Sequence, residues 1–123
     1  MLHALALLLA LAPSSPPPSP AASLPPSGTY RTEIRKRFEA FGYAGELRLR
    51  VAHGYINGTY RPEGGLVTPV TGGTDGTHVW LDFTTFGSLH VEGRFENGRI
   101  VGMGTPRSRG TTVYVFTATF ERP

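Results

Sequence analysis

The chain has no cysteine. Disulfide scaffolds, thiolate metal sites, cysteine nucleophiles and cysteine-linked lipids are therefore excluded, and the fold must hold by packing and hydrogen bonds. Charge is sparse as well: 17% of residues are Asp, Glu, Lys or Arg, and the formal net charge is +3. That is mildly basic, without the concentrated positive charge of a nucleic-acid binder. The single tryptophan, Trp80, makes no stacking platform for single strands. The chain contains no Gly-x-Gly-x-x-Gly ahead of a helix, no phosphate-binding lysine loop, no His-Glu-x-x-His and no Gly-x-Ser-x-Gly. Nothing here announces a catalytic centre, a metal site or a cofactor.

Long apolar runs are missing, apart from residues 1–12. As a helix at about 1.5 Å per residue, that run falls well short of a bilayer core of about 30 Å. It has the length of a signal-peptide core, with cleavage after Ala12 or as late as Ala22. Its flank carries only the α-amine and His3, so the alternative is a start codon assigned too far upstream. Residues 13–27 are rich in Pro, Ser and Ala, and they read as a disordered linker. The folded domain is expected over 28–123, in a secreted, periplasmic or cell-envelope setting, with no transmembrane segment in the mature protein.

What the chain does have is turn chemistry, with 16 glycines and 11 prolines. The clearest stretch runs from Glu46 to Arg61. Leu47, Leu49 and Val51 alternate with Glu46, Arg48 and Arg50, the period of a half-buried strand. A two-residue turn at His53-Gly54 sets Val51 against Ile56, Leu49 against Gly58 and Leu47 against Tyr60. Glu46 then falls opposite Arg61 on the other face, so apolar face, turn and charge pair agree on one register. Asn97-Gly98 predicts a second hairpin, with Phe95 against Ile100, Gly93 against Gly102, Val91 against Gly104 and Glu96 against Arg99.

Other strands follow the same grammar. Residues 29–36 place Tyr30, Thr32 and Ile34 on one face; 77–83 do so with Val79, Leu81 and Phe83, and 111–121 with Tyr114, Phe116, Ala118 and Phe120. Residues 38–43 read as a loop, a strand extension or a short helix. A strand is expected over 66–71, interrupted by Pro69 or lying at an open seam, and residues 72–76 read as a turn cluster. About eight short strands without intervening helices predict an all-β, antiparallel up-and-down meander closing into a barrel. Arg48, Arg50, Asp82, Glu92 and Arg94 share the face that cannot meet lipid, where Arg or Lys would cost about 2–4 kcal/mol each. The barrel should be water-soluble, with its apolar face inside.

Gly28-Thr29-Tyr30 and Asn57-Gly58-Thr59-Tyr60, set in such a meander, resemble the avidin and lipocalin group of small barrels over most of residues 28–121. The resemblance implies an internal site for a small apolar or amphipathic molecule. The avidin site needs several tryptophans, and here the one tryptophan is expected to point outward, so no site residue is carried over.

Three constellations remain. Inside, Leu49, Tyr60, Leu81, Phe83, Val91, Phe95, Tyr114 and Phe116 would line a ligand cavity. Gly58, Gly93, Gly102 and Gly104 would either open that cavity or admit the bulk that fills it. Outside, the 77–83 and 88–95 strands pair His78 with Glu92 and Trp80 with His90, or, shifted by two, Trp80 with Glu92 and Asp82 with His90. Either way they form a His–carboxylate ladder on a solvated face. At one mouth, Arg35, Lys36, Arg37, Arg107 and Arg109 could gather and attract an anionic group. These observations lead to an exported, non-enzymatic barrel holding a small hydrophobic or amphipathic molecule in its interior, with no cofactor, metal or nucleic-acid partner. The alternative is an interaction or structural module of the cell envelope with a filled core, carrying exposed aromatics around Trp80, Tyr55 or Phe41.

Overall fold

The computed structural model describes residues 24–108 and 110–123. The apolar segment 1–12, most of the 13–27 stretch and Arg109 lie outside the described residues. Eight strands follow one another: β1 (Gly28–Lys36), β2 (Tyr43–Ala52), β3 (Tyr55–Pro62), β4 (Thr68–Thr74), β5 (Val79–Phe83), β6 (Leu89–Glu96), β7 (Arg99–Pro106) and β8 (Tyr114–Arg122). Each pairs antiparallel with the next, and β8 returns to β1, closing the barrel. The seam runs from Thr29↔Arg122 to Lys36↔Tyr114, with one register shift between Thr29 and Tyr30.

The period-two pattern explains why these residues form these strands. Tyr30, Thr32 and Ile34 are buried on β1, Leu47 and Leu49 on β2, Ile56 and Tyr60 on β3, Leu81 and Phe83 on β5. The side chains between them face out, and Arg48, Arg50 and Arg61 are exposed. The two hairpins pair in the expected registers, residue for residue. Both turns have two consecutive positive φ angles, His53 (53°) with Gly54 (82°) and Asn97 (54°) with Gly98 (76°). That is the geometry whose twist matches the strands it joins. Glu46 sits in a cluster of cations, 3.2 Å from Arg48, 3.9 Å from Arg61 and 4.0 Å from Arg122. These exposed pairs fix register more than they stabilise, at about 0–1 kcal/mol each.

Some expectations fail, each for a physical reason. No seam is open at Pro69. It pairs with Thr59 on one side and lies just outside the β4–β5 ladder, which begins at Val70↔Phe83, so its missing donor does not break the barrel. Strand β4 also starts later than expected, leaving Leu66 and Val67 in an exposed loop. Gly72 and Gly73 are strand residues rather than turn residues, and Gly73 lies under the Trp80 indole, where a Cβ would come within 2.4 Å of the ring. Residues 37–42 form a loop that opens with a turn at Arg37 and Phe38, the first of the readings the sequence allowed, and Tyr43 begins β2.

The inward glycines do not open a cavity. A Cβ on Gly93 would fall 2.0 Å from the Val101 carbonyl, and one on Gly58 would collide with the Arg48 carbonyl of the next strand. These are places where neighbouring strands bend tightly against each other, the device by which a small sheet closes on itself. Gly104 instead makes room for Leu89 and Val91, whose atoms lie 2.9–3.2 Å from its absent Cβ.

Gly93→Ala should therefore cost about 3 kcal/mol, since backbone cannot yield as a flexible side chain can. Gly98→Ala, whose Cβ meets nothing within 4 Å at φ 76°, should cost only about 1–2 kcal/mol of left-handed strain. Urea midpoints of the two variants check the order.

Candidate functional site

Leu49, Tyr60, Leu81, Phe83, Val91 and Phe116 are buried in the interior, and Phe95 and Tyr114 pack against it. Rings among them touch one another across the interior. Tyr60 meets Phe83 edge-on at 5.2 Å between centroids, and Phe83 meets Phe116 at 5.7 Å. Tyr60 fits because Gly45 has no side chain, its absent Cβ being 2.8 Å from the ring. The Tyr60 hydroxyl ends beside that of Thr32, yet neither completes a hydrogen bond. Burial pushes the Tyr60 hydroxyl's pKa up, with Thr32 pulling the other way. Grooves of about 540 and 570 Å³ lie on the outer wall, lined by residues such as His78, Glu92 and Met103 or Arg48, Arg50 and Asn57.

Both ends of the barrel are closed. At the loop end, Phe86 takes a left-handed conformation (φ 54°) and turns its ring inward. It packs on Tyr43 (5.4 Å), Tyr114 (5.6 Å) and Tyr60 (6.4 Å). Sequence reasoning missed this stopper because a turn residue has no periodicity to betray its direction. At the other end, Pro25 is buried, and the Tyr30 hydroxyl reaches out of the core to donate to the Pro26 carbonyl at 2.5 Å. Ser27 Oγ accepts from the Val51 amide at 2.8 Å. The packed unit thus includes the end of the 13–27 stretch. Burial carries the Tyr30 hydroxyl well above the ordinary phenol range.

On the outer wall, β5 and β6 adopt the shifted register, Trp80↔Glu92 and Asp82↔His90. His90 Nδ1 lies 2.7 Å from Asp82 Oδ1, and His90 Nε2 lies 2.9 Å from Glu92 Oε2. The other Glu92 oxygen meets His78 Nε2 at 2.9 Å, a diagonal contact that survives the register change. Arg107 reaches in from the loop end, its Nη2 2.9 Å from His90 Nδ1 and 3.5 Å from Asp82. A charged His90 ring donates to both carboxylates and merely abuts Arg107; a neutral ring protonated on Nε2 accepts from Arg107. Partial burial opposes charge on His90, but the bonds to Asp82 and Glu92 outweigh it, so its pKa is raised. Its bond to His90 holds the Glu92 carboxyl below its ordinary range, against a smaller opposing effect of desolvation. Both ring nitrogens of His90 are engaged by carboxylates, and His78 and Glu92 also line one of the outer-wall grooves. Among the described residues, no group of three His, Asp or Glu is arranged to hold a metal ion.

The loop end carries the rest. Arg35 and Lys36 end β1, and the Arg37 amide donates to the Val113 carbonyl at 2.8 Å, just before β8. Arg107 leaves β7 at the same end, held by its amide to the Ser88 carbonyl at 3.0 Å. Arg35, Lys36, Arg37 and Arg107 of the expected mouth therefore stand at one end of the barrel, and Arg107 turns toward Asp82. Around it stand the exposed apolar side chains Phe38, Phe41, Tyr43, Leu66 and Val67. Of these, Phe41 was singled out by sequence; Phe38, Leu66 and Val67 were not, since they sit in stretches read as loop or strand. Tyr55 is exposed near the opposite end, and Trp80 is half-covered on the wall. Among the described residues, no helix is long and apolar enough to cross a membrane.

No family model, no curated protein and no solved structure matches this chain.

Because the folded His90 pKa is raised above the ordinary imidazole value of about 6.5, its contribution to stability is complete below about pH 6.5 and disappears as pH rises through the folded value. The urea midpoints of the native chain and His90→Gln should differ most near pH 6 and converge toward pH 9. A gap that widens with pH would show that the carboxylates do not hold the imidazolium.

Proposed function

We propose that the protein is an exported, non-enzymatic barrel of the cell envelope that acts through its loop-bearing end, as an interaction module on a filled core. One observation carries this reading. Among the described residues, five of the eight exposed large apolar side chains, Phe38, Phe41, Tyr43, Leu66 and Val67, gather at one end of a barrel whose interior is packed with its own side chains, Tyr60, Phe83 and Phe116 among them. Fully burying a Phe or Leu is worth about 1.5–3 kcal/mol. Leaving several in water at one end makes sense when something else covers them.

The resemblance to avidins and lipocalins suggests the other reading, a small molecule in the lumen. A ligand there would have to displace rings in mutual contact and pass either Phe86 or the Pro25–Ser27 closure. That cost favours the filled-core module. The His90 ladder serves it as a solvated wall element.

Native mass spectrometry of the barrel purified from its own host discriminates between the two. The filled-core reading expects the bare chain mass. An added mass of a few hundred daltons that vanishes on denaturation would restore the luminal binder.

A further inference from the structure

We infer that the loop end docks on an anionic lipid surface, with Phe38, Phe41 and Leu66 entering the interface and Lys36 and Arg37 meeting phosphate headgroups. The inference rests on the reading above and names its partner. The apolar tips occupy only half of the rim. Phe38 and Phe41 lie on the β1–β2 loop, and Leu66 and Val67 on the β3–β4 loop. The two loops are tied across β2 and β3 by the Glu63 amide donating to the Ala44 carbonyl at 2.9 Å. The other half of the rim, residues 84–88, 107–108 and 110–113, exposes no large apolar side chain: Phe86 turns into the barrel, Val113 is half-buried, and Ser108, Thr111 and Thr112 face outside. A half-rim of this kind seats a tilted barrel on a plane.

The tips have no role in holding the fold. Phe38, Phe41 and Leu66 are 91%, 89% and 84% exposed. Phe38 also takes φ 73°, a conformation costly for a bulky residue and found where structure serves a function. The Arg37 guanidinium lies over the Phe38 ring, 5.0 Å from its centroid. Cation and ring on one tip suit the boundary between headgroups and acyl chains, where the ring can enter and the guanidinium stay at the phosphates. A protein pocket would have to desolvate both. Neither Lys36 nor Arg37 has a carboxylate at ion-pair distance among the described residues, whereas Arg35 meets Glu33 and Arg107 meets Asp82. The unpaired cations sit at the apolar half of the rim, where Glu39 and Glu63 are the opposing charges. Basic residues beside inserted apolar groups are what anionic leaflets attract.

The test is residue-resolved hydroxyl-radical footprinting of the full chain. It is run with vesicles of phosphatidylcholine containing about one-third phosphatidylglycerol, with phosphatidylcholine alone, and with a delipidated envelope-protein fraction. The expected result is protection of Phe38, Phe41 and Leu66 by the anionic vesicles only, with Tyr55 at the far end left reactive. Phe38→Ser with Phe41→Ser should weaken vesicle binding by about tenfold or more. Lys36→Gln with Arg37→Gln should weaken it at low salt and matter little at about 0.5 M. Reading the loop tips directly separates them from any attachment made by residues 1–23. Protection by the protein fraction alone overturns the lipid inference and leaves the docking end intact. Protection by none of the three overturns both.

Discussion

A closed hydrogen-bond ladder with a strict inside and outside is the constraint from which everything else follows. Once β8 pairs with β1, every strand has two neighbours and no edge is left. Slipping any strand by one residue would bring arginines such as Arg48 or Arg94 into the core and send Leu49 or Val91 to water. The alternation of charge and hydrocarbon is thus what selects the register, and the closure is what makes the selection collective. Without disulfides, the barrel relies on this ladder and on the interlocked rings of Tyr60, Phe83 and Phe116.

A small barrel leaves little interior to spare. Tyr60 needs Gly45, Leu89 and Val91 need Gly104, and tight strand bends need Gly58 and Gly93. The core is shaped by pairs of large and absent side chains, and Phe86 and the Pro25–Ser27 segment complete it at the two ends. Function is thereby pushed to the surface. There the two ends differ: one has short turns and the first and last described residues, the other has longer loops with exposed rings and cations.

How far sequence reaches into such a molecule depends on whether signals reinforce one another. Between Glu46 and Arg61, turn geometry, apolar face and an ion pair converge, and the register is readable to the residue. Between β5 and β6 they do not. A shift by two keeps the same faces, so the alternation alone lets His90 oppose either Trp80 or Asp82, and the pairing found is Asp82↔His90. Gly72-Gly73 resembles a turn because local chemistry cannot separate a glycine that bends the chain from one that makes room for Trp80. Filled versus hollow is illegible for a deeper reason, since it depends on the sum of volumes across all eight strands. The basic mouth was readable because hairpin topology alone places Arg35–Arg37 and Arg107 at one end, but the apolar half-rim required knowing where β4 begins.

The central claim, closure around an apolar interior, is tested most directly by amide hydrogen exchange at the β1–β8 seam. Amides of β1 and β8 that bond across it should exchange as slowly as those of the β2–β3 hairpin, opening only with global unfolding. Exchange there at the rate of a frayed edge, orders of magnitude faster than in β2–β3, would mean an open sheet and contradict the account.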